Sequence, residues 1–195
     1  MAIWNPVKDK GAIRKYGGGV LRIREVSDDG QTISASDTGY SDIGYIQSHK
    51  FRDFTPLEDV PDETGSVVAS EEGQREVKIS GVLMQTDKEM FDIAKDTRGK
   101  FYRVYLYEGI VNGNHKEIFF GICRIAPMID VDFPGGRTPF EISVLRNTLA
   151  ITISTTELNT IKISGDAYPK TPHAGSETVV IAADDFYTIV ETAVV

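Results

Sequence analysis

The sequence predicts a mainly β protein: a meander of antiparallel strands with one α-helix at about 87–98 and a long acidic loop at about 55–73. Three observations carry this expectation. Runs such as Arg75–Gln85 alternate apolar and polar residues, with Val77, Ile79, Gly81 and Leu83 on one face and Glu76, Lys78 and Ser80 on the other. Turn-forming clusters, among them Asp28-Asp29-Gly30 and Pro134-Gly135-Gly136, separate these runs at the spacing of an antiparallel meander. Only one segment, between Thr86 and Gly99, carries helix start and stop signals.

The elements follow in order. Residues 1–19 read as an amino-terminal arm with a glycine hinge at 17–19. Val20–Val26 is the first strand, with Leu21, Ile23 and Glu25 on one face and Val20, Arg22, Arg24 and Val26 on the other. Asp28-Asp29-Gly30 turns the chain, because glycine tolerates positive φ and aspartate caps its own backbone. Gln31–Ser36 is expected to return as the partner of the first strand, followed by Ile43–Phe54 with Tyr45, Phe51 and Phe54 as aromatic anchors.

From Thr55 to Gly73 prolines, glycines and acids dominate, and long loops of this kind are usually functional or disordered. Phe54, Leu57, Val60, Val67 and Val68 are buriable residues scattered among Glu58, Asp59, Asp62, Glu63, Glu71 and Glu72. That mixture suits a solvated excursion or an arm that orders against a neighbouring subunit.

The helix has Thr86 as its cap, with Glu89 reaching back to complete a capping box, and Asp87 at the positive end of the dipole. Met90, Ile93 and Ala94 form the stripe that packs on a sheet, and Gly99 is placed to end the helix. Phe101–Tyr107, His115–Ile125, Met128–Phe133 and Phe140–Ser154 continue the meander. Residues 20–154 thus form the main domain. Residues 155–195, with strand candidates Thr178–Ala182 and Tyr187–Val194, form an extension that completes or decorates it.

A net charge of -8 argues against wrapping nucleic acid through phosphate contacts, which needs clustered Lys and Arg. The single cysteine, Cys123, lies in an apolar strand and reads as a core residue, so no disulfide framework or thiolate metal site is expected. The first residues lack a basic start and an apolar core, so they do not read as a signal peptide, and no run reaches the ~20 apolar residues of a membrane helix. The expectation is a soluble protein made in a reducing cytoplasm, with no membrane partner.

No catalytic pattern emerges. His49, His115 and His173 are far apart and lack metal-binding spacing. Gly17–Gly19 is not followed by the Lys-Ser/Thr of a phosphate loop. Asp130 and Asp132 share a strand face and could form an acid/base or metal pair, but a solvent-facing edge explains them more simply. The chain is therefore expected to be a non-enzyme, with no cofactor, no metal and no catalytic residues.

The acidic, glycine-punctuated stretch, followed by Glu72-Gly73-Gln74-Arg75-Glu76-Val77-Lys78-Ile79-Ser80-Gly81-Val82-Leu83-Met84-Gln85 and then Thr86-Asp87-Lys88-Glu89, resembles the tail tube (major tail) proteins of tailed bacteriophages. The likeness runs on through Arg98-Gly99-Lys100-Phe101-Tyr102. It covers about 70–107 in wording and 20–154 in organisation. That family is related in fold to the inner-tube proteins of type VI secretion.

The resemblance implies a two-sheet antiparallel β-barrel or sandwich with the one flanking helix, in a structural virion protein whose hexameric rings stack into a hollow tube, the conduit for DNA ejection. It implies as partners further copies of the chain, a tape-measure protein in the lumen, tail terminator and baseplate or tip proteins, and a sheath if the tail is contractile. DNA would pass without specific binding. The location implied is the virion tail, assembled in the host cytoplasm. The acidic loop would then make inter-subunit and inter-ring contacts. The alternating strands nominate Glu76, Lys78, Ser80, Glu141 and Ser143 as lumen residues, in a wall lined mainly by carboxylates. Two other readings fit less well: the inner tube of a contractile injection or type VI secretion-like system, and a β-sandwich carbohydrate-binding module.

Overall fold

The computed structural model describes residues 20–33, 40–83, 99–111, 114–126, 138–155 and 177–193. The helix expected at 87–98, with Thr86, Glu89, Met90, Ile93 and Ala94, lies outside these residues. So do the amino-terminal arm, Met128–Phe133 with Asp130 and Asp132, and His173.

Eleven strands make up the described chain: β1 (Val20–Val26), β2 (Ser41–Phe54), β3 (Leu57–Pro61), β4 (Val67–Glu72), β5 (Glu76–Leu83), β6 (Phe101–Val111), β7 (Asn114–Ala126), β8 (Thr138–Leu145), β9 (Ile151–Ser154), β10 (Thr178–Ile181) and β11 (Tyr187–Ala193). The largest sheet runs β11-β7-β6-β1-β2-β5-β8, and β8 also pairs with β7. Every pairing is antiparallel. Following the hydrogen bonds from β7 through β6, β1, β2, β5 and β8 returns to β7. The sheet is closed through these six strands, with β1 meeting β2 only over Val20–Ile23 and with β11 extending it alongside β7.

The inward faces fill this barrel. Leu21 and Ile23 of β1, Val77 and Ile79 of β5, Val104 and Leu106 of β6, Ile118 and Phe120 of β7 and Ile142 of β8 all pack in one buried cluster. Cys123 joins them, and burial pushes its thiol pKa well up, so it is an inert core residue.

A second cluster lies on the outer side of the β6–β7 wall. Tyr105, Phe119 and Ile122 face outward there and are covered by Ile151 and Ile153 of β9 and Val179 and Ile181 of β10, which form their own two-stranded sheet. The β6–β7 wall is therefore buried on both faces.

The long strand β7 changes partners along its length. Residues 114–120 pair with β11, and residues 122–126 pair with β8. The switch falls at a β-bulge, where Tyr102 and Val104 of β6 oppose Cys123 and Phe120. Three steps on β7 match two on β6, so Phe120 and Cys123 both point inward while Ile122 points outward. Gly121 sits at this bulge, where Asn147 fills the space that a side chain would need: an added Cβ would collide with the Asn147 side-chain amide. Asn147, fully buried, also holds the 184–186 turn through backbone bonds to Asp184 and Asp185.

Three expectations need correction. Of the expected return strand Gln31–Ser36, the described residues 31–33 do not pair along β1 beyond a single bridge from Ile33 to Val26, and β1 lies between β2 and β6. The Asp28-Asp29-Gly30 turn does form, with Gly30 at a φ of 69°. Its carbonyl accepts two bonds from the buried Arg103 guanidinium, at 3.0 and 2.7 Å, which pins the turn to β6 instead of starting a hairpin. Phe140–Ser154 is not one strand: the chain leaves β8 at Leu145, buries Asn147, and re-enters as β9 in a different sheet. The segment 55–73 is not an irregular loop but a β-hairpin, β3–β4.

Candidate functional site

The hairpin is built by local chemistry. Val60 and Val67 favour extended backbone, and the residues between supply a tight turn. Asp62 Oδ1 accepts bonds from the Thr64 amide (2.8 Å), the Thr64 hydroxyl (2.6 Å) and the Ser66 amide (2.9 Å), while Gly65 adopts a φ of 82°. The Thr64 hydroxyl and then the Ser66 amide hold the Asp62 carboxyl below its ordinary pKa. Asp62-x-Thr64-Gly65-Ser66 was the readable turn signal within a stretch whose prolines and acids suggested a loop. At the base, the Gly73 amide donates to the Pro56 carbonyl at 2.8 Å and closes the hairpin.

Beyond that base the hairpin touches little. All five residues of β3 are exposed. Leu57 is 69% exposed and Val67 57%, with Phe54 and Val60 also open to solvent. Glu58 lies directly opposite Glu71, a like-charge pair that disfavours the hairpin. Asp59 offsets part of this by accepting a bond from Ser70 at 2.9 Å. A two-stranded hairpin with both faces wet is marginal by itself, and large exposed apolar residues on such an element mark a contact surface.

The root of the hairpin, in contrast, is fixed. Arg75, just before β5, grips Asp53, near the end of β2, through two bonds of 2.8 and 2.6 Å. Tyr187 of β11 donates to the same carboxylate at 2.7 Å, and Arg75 lies over the Phe186 ring at 5.0 Å. The Arg75 bonds, with a smaller contribution from Tyr187, hold the Asp53 carboxyl below its ordinary pKa against the opposing effect of burial. Asp53, Arg75 and Tyr187 are 134 positions apart at their widest, so no sequence spacing could have joined them.

Glu76, Lys78, Ser80, Glu141 and Ser143 come together on the outer face of the β2–β5–β8 wall. Lys78 is opposite Ser143, and Ser80 is opposite Glu141. Lys78 pairs with Glu76 at 2.9 Å. The register brings further residues to this face that sequence reading missed. Arg52 lies opposite Lys78, Lys50 opposite Ser80, and Arg124 of β7 opposite Ser143. The face therefore holds the cations Lys50, Arg52, Lys78 and Arg124 against the carboxylates Glu76 and Glu141. A wall of that balance attracts a polyanion, where a wall lined mainly by carboxylates would repel one.

The described histidines sit in separate polar contacts: His49 lies 3.6 Å from Glu108, and His115 bonds to the Tyr107 hydroxyl at 2.8 Å. Buried Glu117 accepts a bond from Tyr105 at 2.6 Å, with Arg22 over the Tyr105 ring. Among the described residues, no group of His, Cys, Asp or Glu is arranged to hold a metal ion. No described helix is long and apolar enough to cross a membrane. What the arrangement offers is a rigid barrel, one solvated acidic hairpin and one open cationic wall. No family model matches the chain, and no curated protein matches it.

Proposed function

We propose that the chain is a structural subunit that self-assembles into stacked rings forming a hollow tube, as in the phage tail tube proteins that its 70–107 stretch resembles. In this role it would serve as a conduit for DNA in a virion tail. The observation that carries the reading is the β3–β4 hairpin. It stands on a clamped root, is exposed on both faces and carries Leu57, Val60 and Val67 into solvent. A lone domain gains nothing from such an element, whereas an assembling subunit buries it against a neighbour. The closed barrel supports the same reading: with most edges paired, association is directed to a few surfaces rather than to indiscriminate strand addition.

The β2–β5–β8 wall suits a protein contact better than a lumen facing DNA, because its cations would hold a passing polyanion. Tape-measure, terminator, baseplate and sheath partners follow from the family resemblance alone.

Negative-stain microscopy and mass measurement over a wide concentration range test this reading. Rings and hollow tubes of uniform width are expected. Replacing Leu57–Glu72 by a tight turn between Pro56 and Gly73, already hydrogen-bonded, should leave the barrel folded and abolish tubes. A protein that stays monomeric at every concentration, or normal tubes from the hairpin-less variant, overturns the reading.

A further inference from the structure

The outer wall of β2, β5, β8 and the second half of β7 is the open counterpart of the wall covered by β9 and β10. Arg52, Lys78, Ser143 and Arg124 lie in one row across its four strands. With strands ~4.8 Å apart, the row spans roughly 15 Å. Lys50 is in the adjacent row, and Lys50, Arg52 and Arg124 are all exposed. Among the described residues no carboxylate pairs with Lys50, Arg52 or Arg124; Arg52 rests near the Phe54 ring and Arg124 near Phe101. In a chain of net charge -8, this concentration of cations runs against the overall balance. Phe54 and Leu145 add exposed apolar surface on the same side, at 40% and 37%.

The hairpin has the complementary composition. Between Thr55 and Gly73 it carries Glu58, Asp59, Asp62, Glu63, Glu71 and Glu72 and neither lysine nor arginine. Its exposed Leu57 and Val67 match the apolar margin of the wall. We propose that the Lys50/Arg52/Lys78/Arg124 wall is the docking site for the acidic β3–β4 hairpin of a second copy of this chain.

The proposal rests on the self-assembly reading and names the surface that receives the hairpin. The Glu58–Glu71 pair, repulsive in the free chain, becomes favourable once it faces the Arg52–Lys78–Arg124 row. Each copy carries one hairpin and one wall, so a contact in one direction leaves a free hairpin at one end and a free wall at the other. Such a head-to-tail contact closes into a ring or extends as a filament.

The test is a charge swap on the full chain. One variant carries Arg52→Glu and Arg124→Glu; the other carries Glu58→Lys and Glu71→Lys. All four positions are exposed, and thermal melting checks that each variant stays folded. Each variant alone should need a concentration at least about tenfold higher than the parent to assemble, because like charges then face each other. Mixed in equal amounts, the two should assemble together, since the acidic wall of the first accepts the basic hairpin of the second and the converse also holds.

Rising ionic strength should weaken the parent contact, with screening over ~8–10 Å at moderate salt. Parent-like assembly of either variant alone, or failure of the mixture while the parent assembles, overturns the docking site and leaves the tube reading standing. A parent that never assembles overturns both. Duplex-DNA binding that Arg52→Glu/Arg124→Glu abolishes, with assembly unchanged, makes the wall a polyanion site and also overturns the proposal.

Discussion

Two antiparallel hairpins of this chain, β6–β7 and β3–β4, make the same backbone hydrogen bonds and have opposite fates. In β6–β7 both faces are covered. Val104, Leu106, Ile118 and Phe120 fill the barrel, and Tyr105 and Phe119 lie under β9 and β10. In β3–β4 neither face is covered, and its residues are almost entirely exposed. Pairing is therefore not what separates the rigid part of this molecule from its free arm. Apolar area removed from water does, at roughly 25 cal/mol per Å², and only the first hairpin removes it within one chain.

The two hairpins should differ most at Phe120, which is fully buried and meets Phe51 edge-on, with ring centroids 5.6 Å apart. Phe120→Ala should cost about 3–5 kcal/mol in urea unfolding. Leu57→Ala, on the exposed hairpin, should stay within about 0.5 kcal/mol in the monomer. Equal losses at the two positions would mean that the hairpin is packed in solution.

A smaller effect is expected at the bulge. Gly121→Ala drives a methyl group into Asn147 and should destabilise by about 1–3 kcal/mol. The same change in an Asn147→Ala background should cost much less, because the obstructing amide is gone. Additive losses would show that Gly121 is kept for backbone reasons rather than for the Asn147 contact.

The clamp between the two regions has an acid signature. Asp53 has its pKa depressed in the folded chain, so its contribution is complete above the ordinary aspartate range and is lost as pH falls through the lower folded value. Tyr187→Phe removes one of the bonds to the carboxylate and should move its NMR titration midpoint upward, while Arg75→Ala should move it further. An Asp53 midpoint unmoved by either change would discount the clamp.

The smallest effect belongs to the hairpin itself. Glu71→Lys replaces a like-charge pair by an opposite one and should stabilise β3–β4 by about 0.2–1 kcal/mol. Amide exchange within 57–72 should slow while the global melting temperature stays put. A shift in global melting would mean that the hairpin unfolds together with the barrel.

Much of the fold was legible because it depends on period and turn chemistry. Val77 and Ile79 against Lys78 and Ser80 placed β5 and its inward face, and the same alternation marked β1, β6, β7, β10 and β11 within a few residues. The failures have physical causes. Arg22, Arg103 and Glu117 look like solvent-facing strand residues, yet they are buried: Arg103 bonds to the Gly30 turn, and Arg22 and Glu117 both engage Tyr105, which packs with β9 and β10. Phe140–Ser154 reads as one apolar run because burying Asn147 at a corner leaves no mark in the alternation.

The candidate surfaces divide the same way. The acids and exposed apolar residues of 55–73 stood out from composition, but their hairpin geometry depended on the weaker Asp62–Ser66 signal. The cationic wall was invisible, since Arg52, Lys78 and Arg124 come from three strands.

By itself, then, the sequence determined which residues extend, which alternate and where the chain turns, because period-two patterning and turn propensity are local properties. The tertiary structure decided that six strands close on themselves, that β7 changes partner at Gly121, and that the Arg52–Lys78–Ser143–Arg124 row exists at all. Register is the reason: a shift of one residue between strands reverses which side chains share a face, and that choice is made by packing across the barrel between residues far apart in the chain.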